Sequence, residues 1–370
     1  MSAINSIKAI DGPSVHRITS GQVVIDLQTA VKELVENSID AGATNIEEVR
    51  FTQYGLTSIQ VIDNGSGIAP EDYDSIALKH YTSKLKTFAD LTSVLSFGFR
   101  GEALSSLCAL CEGVSITTAR AQESPVGAGL VFDKHGVVQS KGPVARQART
   151  TITLTNLFTP LPVRRKELER NIKREFGKAL ALLNAYALGP CAKKGGIRLG
   201  VTNQVEGGRK SVQIRTDGTP SLRASVSTLW GPKALTNIVD LELEFEVETA
   251  KVALQRMSDT PLPTSVPVKI HGLTSKFAVG CGRTGTDRQF FYVNGRPCNM
   301  GKIQKAFNET YRSFNANQSP FLVVDVIIPT ESCDVNVSPD KRTVFIHSEE
   351  NLVTALKVRT VNLIPSIDLS

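Results

Sequence analysis

Three short segments, in this order and at these distances, constrain the chain more than anything else in its 370 residues: KELVENSIDAGA from Lys32, DNGSGI from Asp63 and GFRGEALSSL from Gly98. The first reads as a helix from about Gln28 to Ala41, ended by Gly42, because a glycine just past the last helical residue accepts the left-handed conformation that stops a helix. At about 100° per residue, Val31, Leu34, Val35 and Ile39 fall on one side while Glu33, Asn37 and Asp40 cluster within roughly 60° on the other. Glu33 and Asn37 are one turn apart, so a carboxylate and an amide oxygen can meet the same small target. The carboxylate can take a proton from water, and the amide oxygen is a hard donor suited to Mg2+. For this segment alone, an amphipathic helix with a solvated polar face is the plain alternative.

The second segment follows a strand read from Leu56 to Ile62. Gly65 and Gly67 let the backbone approach a ligand closely, and Asp63 at the strand end can accept a hydrogen bond from an exocyclic amine. By itself the same stretch is an ordinary turn. In the third segment, Gly98-Phe99-Arg100-Gly101 opens an apolar helix running from Glu102-Ala103-Leu104 through Leu107. A helix N-terminus offers unpaired N–H groups and the positive end of a dipole, a seat for phosphate oxygens; a loop before a core helix is the alternative.

All three in this order, with Tyr81-Thr82-Ser83-Lys84 between the second and third, resemble the GHKL ATPases: gyrase-type topoisomerases, heat-shock chaperones, histidine kinases and MutL proteins. GFRGEALSSL and KELVENSIDAGA are similar to MutL in particular, over nearly all of the chain. LPVRRKELERNIKREF, TDRQFFYVNGRPC and DVNVSPDKR resemble the post-meiotic-segregation branch of eukaryotic MutL homologues. The resemblance implies an α+β chain: a GHKL (Bergerat) ATPase α/β sandwich over residues 1–217, then a smaller ribosomal-protein-type, transducer-like α/β domain over 218–370.

The resemblance also assigns roles. Glu33 becomes the general base and Asn37 the Mg2+ ligand; Asp63 reads the adenine amine, with Gly67 letting the base sit close and Thr150 keeping a hydroxyl beside it. Thr82, Ser83 and Lys84, with Gly98, Phe99, Arg100, Gly101, Glu102, Ala103 and Leu104, form a lid over the phosphates. Lys341 matches a lysine that reaches across to the γ-phosphate, where a cation stabilises charge on the transferred group. ATP and Mg2+ are the implied cofactors, and slow hydrolysis to ADP and phosphate the implied reaction. The implied partners are an MLH-type homologue in a heterodimer, a MutS-type mismatch sensor and DNA, in the nucleus, with no membrane. No DQHA-type metal motif stands in the sequence, so no nuclease activity is expected of it.

Two departures stand out. Where the family has Gly-Thr-Thr before a strand, this chain has Arg149-Thr150-Thr151, which puts the geometry near the adenine in question. Ile46 to Phe51 also breaks strict alternation, which predicts a bulge or one extra residue. Arg149 keeps a second class open: a DNA- and partner-binding scaffold with a weak or inactive ATP site.

Composition fits an ordered chain of two domains, at 41% hydrophobic residues. No run of about 18 apolar residues and no basic-then-apolar leader is present. The six cysteines form no regular framework, which fits a reducing compartment; Cys108 and Cys111 make a CxxC inside an apolar helix pattern and read as core. Further strands are expected at Gly113–Thr118, Gly129–Phe132, Thr151–Thr155 and Ile197–Thr202, giving a mixed sheet with helices on one face. Beyond the turn cluster at Thr216 to Pro220, strands are expected at Val266–His271, Gln289–Val293 and Phe321–Ile328, with a helix from about Lys302 to Phe314. Asp240 to Val247 alternates acid and apolar, a strand with one wet acidic face.

Charge is uneven. From Pro160 to Arg215 there are 13 Lys or Arg against 4 Asp or Glu, a net of +9 in a chain whose total is +6. Arg164, Arg165, Lys166, Arg170, Lys173, Arg174 and Lys178 lie on one helix and its approach, and Lys193, Lys194, Arg198, Arg209 and Lys210 follow. Such a concentration with few interleaved aromatics reads as a phosphate-backbone footprint for duplex and single-stranded DNA, independent of sequence. A solvated basic helix is the alternative.

Overall fold

Aspartates start the first two helices. In a computed structural model, which describes residues 9–84, 96–193, 195–249, 264–334 and 337–367, the Asp11 carboxylate accepts the Ser14 N–H at 2.9 Å and begins α1 (Gly12–Val23), and Asp26 accepts the Thr29 N–H at 2.7 Å and begins α2 (Leu27–Asp40). Gly42 follows α2 at φ 71°, in the left-handed conformation read from the sequence. Next come β1 (Asn45–Thr52), β2 (Ser58–Asp63), α3 (Ala103–Leu110), β3 (Gly113–Ala119), β4 (Val126–Phe132), β5 (Val138–Ala145), β6 (Arg149–Thr155), the long α4 (Pro162–Leu188), β7 (Arg198–Gln204) and β8 (Ser211–Arg215).

These eight strands make one sheet in the order β5-β4-β3-β6-β2-β1-β7-β8. Pairings from β5 through β1 are all antiparallel, so the expected mixing of directions is not found in that part of the sheet. One face is apolar: Ile46, Val49, Phe51, Ile59, Val61, Val114, Ile116 and Leu154 are buried, as are Leu27, Val31, Leu34 and Val35 of α2. The expected irregularity in β1 is a bulge. Ile46 pairs with Asp63 and Glu48 with Ile62, leaving Glu47 as the extra residue.

Contacts between Cα atoms divide the chain into two units, the first ending at Leu180 and regaining Gly200–Gln213, the second taking Ala181–Leu199 and the chain from Ile214 on. The second unit holds α5 (Leu222–Trp230), β9 (Ile238–Glu248), β10 (Ser265–Ser275), β11 (Gln289–Val293), β12 (Arg296–Pro297), α6 (Gly301–Arg312), β13 (Leu322–Ile327), β14 (Cys333–Asp334), β15 (Phe345–Ile346) and α7 (Glu349–Ile367). Its main sheet runs β12-β11-β13-β10-β9. Here the directions do mix: β11 and β13 pair in parallel, which a hairpin cannot connect, and α6 lies in the crossover between them. Leu241, Phe245, Ile270, Val293, Phe307, Leu322, Val324 and Leu352 form its core. β9 keeps the expected alternation, with Leu241, Phe245 and Val247 buried and Asp240, Glu242, Glu244, Glu246 and Glu248 exposed on an edge strand, where charge discourages further strand pairing.

Candidate active site

The C-terminal half of α2 gathers the three sequence segments. Ser38, buried on α2, donates its hydroxyl to Asp63 Oδ2 at 2.9 Å, and the Gly65 N–H donates to Asp63 Oδ1 at 2.9 Å. Asp63 is only 4% exposed. Burial raises its pKa above the ordinary carboxylate value, against the pull of the Gly65 and Ser38 donors. Across the sheet Asp63 pairs with Thr150, and Thr150 with Thr118; the two threonine hydroxyls are 2.9 Å apart, and Thr118 Oγ1 accepts the Ile68 N–H at 3.1 Å. Residues directly opposite share a face, so Asp63, Thr150 and Thr118 form a polar row on the side where α2 lies. Gly67 has φ 76°, and a Cβ there would stand 2.9 Å from the Ala119 carbonyl oxygen, so only glycine fits.

One turn beyond Asn37, Asp40 holds the third segment. Its carboxylate accepts the N–H groups of Phe97 and Gly98, both at 2.9 Å, and the Lys84 ammonium at 2.7 Å. Lys84 Nζ also donates to Asn37 Oδ1 at 3.1 Å. Asn37, Lys84 and Gly98 are thus brought together by a residue that the sequence reading placed on the polar face without a role. A cation already sits against the Asn37 amide oxygen and a carboxylate, which is the donor chemistry Mg2+ requires, so these residues fit that ion.

Glu33, one turn earlier, is 4% exposed rather than solvated. Lys32 Nζ donates to Glu33 Oε1 at 3.1 Å and to Glu36 Oε2 at 2.7 Å, and Lys32 and Glu36 are themselves buried. Burial alone would lower the lysine pKa; Glu36 and Glu33 outweigh it and hold the ammonium charged. Sequence reasoning missed this triad, although the spacing of Lys32, Glu33 and Glu36 carries the i,i+4 pattern of an ion pair.

The remaining expected residues are spread more widely. Thr82 and Ser83 are exposed, and Thr82 Oγ1 accepts the Lys84 N–H at 3.1 Å. Phe99 is buried, and the Arg100 guanidinium lies 6.0 Å from its ring centre. The Gly101 carbonyl accepts the His80 N–H at 2.8 Å, and Glu102 lies 3.7 Å from His80 Nδ1. Ala103 and Leu104 form the first turn of α3, half-buried. Lys341 belongs to the second unit, 4% exposed and at φ 55°.

Arg149 does not crowd the Asp63 side. Its neighbour Thr150 shares the face of Asp63, so Arg149 points to the other face. There it donates to Glu47, the bulged residue, at 2.9 Å. The departure from the family pattern and the break in strand alternation are partners. The adjacent Glu48 accepts from Arg50, Lys210 and Thr202; burial would raise its pKa, but these donors bring it down to about 2.

In the basic region, Arg164 donates to the carbonyls of Gly21 and Val24, and Arg165 to those of Leu56 and Leu157. These two arginines tie α4 to the domain. Lys166, Arg170, Lys173, Arg174 and Lys178 are exposed; Arg170 lies 3.6 Å from Glu167, Lys178 2.8 Å and Arg174 3.5 Å from Glu175, and Lys173 sits over the Tyr54 ring. Lys194 lies outside the described residues. The CxxC cysteines are buried and free, with burial raising the Cys108 thiol to about 12.

Residues 25–150 match the family model described as histidine kinase-, DNA gyrase B-, and HSP90-like ATPase, and residues 245–363 that described as DNA mismatch repair protein, C-terminal domain. The chain is 44% identical to the mismatch repair endonuclease PMS2 of Gallus gallus over 361 residues, 98% of this chain and 40% of that protein. It is 40% identical to the DNA mismatch repair protein PMS1 of Saccharomyces cerevisiae over 360 residues, 96% of this chain and 40% of the relative. The chain therefore spans about 40% of the length of these curated relatives. A crystal structure of the N terminal domain of a DNA repair protein superposes with a TM-score of 0.82 at 37% identity, covering 96% of this chain and 99% of the other. The Aquifex aeolicus MutL ATPase domain complexed with ADP shares the fold at a TM-score of 0.51 and 21% identity, over 83% of this chain and 93% of its own. With a GHKL ATPase fold and PMS1/PMS2-type relatives matching nearly its whole length, this chain belongs to the MutL family of DNA mismatch repair proteins.

Proposed function

We propose that the chain binds and slowly hydrolyses ATP to ADP and phosphate, as the nucleotide-driven part of a mismatch-repair clamp. Asp63, seated by Ser38 and Gly65 and flanked by Thr150, receives the adenine amine. Thr82, Ser83, Lys84 and the turn from Gly98 to Leu104 contact the phosphates, where the N–H groups at the start of α3 are suited to anions. Asn37 holds Mg2+, which when bound neutralises phosphate charge and orients the terminal group. Glu33 takes the proton from the attacking water. Lys341 approaches the γ-phosphate on closure, and closure accompanies N-terminal dimerisation. In this reading residues 1–217 form the ATPase domain and 218–370 the domain that responds to the nucleotide.

The observation that carries the reading is the convergence on one helix. Ser38 and Asp40, both in the last turn of α2, hold Asp63 and the Gly98 turn, so the second and third motifs are both tied to the helix of the first. The exposed basic residues of α4 support sequence-independent contact with DNA phosphates. The mismatch-repair relatives support an MLH-type partner and a nuclear location.

The test is phosphate release and nucleotide binding for the wild type and Glu33→Ala. Retained binding with lost turnover supports the enzyme. Binding without turnover in both proteins supports the scaffold.

A further inference from the structure

Asp40 and Asn37 present two oxygens to one ammonium at the end of a helix. Lys84 Nζ stands 2.7 Å from Asp40 Oδ2 and 3.1 Å from Asn37 Oδ1. The last turn of α2 carries no basic residue of its own, so the negative end of its dipole and the Asp40 carboxylate draw their cation from outside the helix. Gly98 is shaped to this contact: a Cβ there would stand 3.0 Å from Lys84 Nζ, 3.5 Å from Asn37 Oδ1 and 3.6 Å from Asp40 Oδ2.

The two oxygens differ in what they keep if Lys84 leaves. Asp40 retains the Phe97 and Gly98 N–H groups, one on each oxygen, and is not stranded. Among the described hydrogen bonds, Lys84 supplies the donor on Asn37 Oδ1, so its departure frees that oxygen for another cation. Lys84 is itself partly exposed, its side chain at 25%, and has room to move.

We propose that Asn37 and Asp40 form a seat that the Lys84 ammonium and a divalent cation occupy in turn, so that Lys84 competes with the metal and moves off as the metal arrives. Asp40 also holds Lys84 and the Gly98 turn ready beside Asn37. The exchange rests on the reading of Asn37 as a metal ligand.

Electron paramagnetic resonance of Mn2+ tests it on the whole chain without nucleotide. Lys84→Met and Lys84→Gln remove the competing charge, and Mn2+ should bind each roughly tenfold more tightly than the wild type, the worth of one hydrogen bond to a charged group. Adding Asn37→Ala should abolish that gain. Equal affinity in wild type and both variants, or a gain that survives Asn37→Ala, overturns the exchange. The underlying reading has its own arm, Mn2+ affinity with ADP present: if Asn37→Ala leaves it unchanged, Asn37 is not a ligand and the exchange falls with it. If Asn37→Ala weakens it while the Lys84 variants match the wild type in the nucleotide-free arm, only the exchange falls.

Discussion

Replacing Lys32 by methionine keeps the length of the side chain and removes the ammonium from between Glu33 and Glu36. The lysine is 2% exposed, 3.1 Å from one carboxylate and 2.7 Å from the other. Removing one member of a buried ion pair destabilises by about 3–5 kcal/mol, because the remaining charge stays away from water. Here two carboxylates share the same cation. The folded-state pKa of Lys32 lies above its ordinary 10.5. Its contribution is therefore fully present below that value and is lost only as pH rises through the folded value, so the effect of the substitution is flat from neutral to mildly alkaline pH.

The measurement needs a probe in the right unit, since the single tryptophan, Trp230, lies in α5 of the second. Hydrogen exchange of α2 amides across a urea series reports the first unit directly. The double variant Lys32→Met/Glu36→Gln should recover a substantial part of the loss, giving a coupling of about 1–3 kcal/mol in the cycle. A loss below about 1 kcal/mol, the range of a solvated pair, would refute the view that this triad is buried and mutually dependent.

Glu48, depressed from 4.5 to about 2, stabilises the fold fully above pH 4.5, and this is lost as pH falls toward 2; Glu48→Gln should remove on the order of 1–2 kcal/mol of that dependence, since its donors Arg50 and Lys210 are half-exposed and screened by solvent, seen as a shallower acid-unfolding curve. Arg149→Gly should leave ADP affinity within about threefold, less than one hydrogen bond's worth, since the side chain pairs with Glu47 on the opposite face; a larger change in calorimetric titration would return Arg149 to the nucleotide. Exchanging Lys166, Arg170, Lys173 and Arg174 for glutamine should weaken duplex binding and reduce the salt slope by up to about 0.9 per lost contact, whereas wild-type affinity that hardly changes with salt would sink the DNA reading. Arg164→Ala should lower thermal stability and leave the salt slope unaltered, its guanidinium being committed to the Gly21 and Val24 carbonyls.

Much of the fold was legible because the relevant signals are local. Period-two alternation marks β9, which is observed over Ile238–Glu248, and the break in alternation after Ile46 marks the bulge at Glu47. The glycine after α2 marks its end. Less legible were α1 and α5, which begin at Asp11 and Ser221 caps ahead of weakly periodic stretches, and β5, an edge strand whose residues are all exposed or half-buried and so leave no apolar pattern to read. The parallel pairing of β11 with β13 was also out of reach, because a sheet's direction depends on which distant strand arrives beside it.

The site shows the same division between local pattern and distant partner. Helical spacing puts Glu33, Asn37 and Asp40 on one face, and spacing alone makes that face solvated. In the fold that face meets protein, since Asp40 takes donors from Phe97, Gly98 and Lys84, while Ser38 reaches Asp63 from the apolar side of the helix. Arg149 and Glu47, each an oddity in its own segment, explain one another only when β6 and β1 are brought close. The basic region shows the limit most plainly. Arg164 and Arg165 add two to any charge count, yet Arg164 donates to the Gly21 and Val24 carbonyls and Arg165 to those of Leu56 and Leu157 besides pairing with Glu169, and main-chain acceptors are ones that every residue possesses and no sequence advertises. A net charge read along the chain therefore overstates the cationic surface by every arginine that the fold uses to satisfy its own backbone, and only the remainder is available to a phosphate.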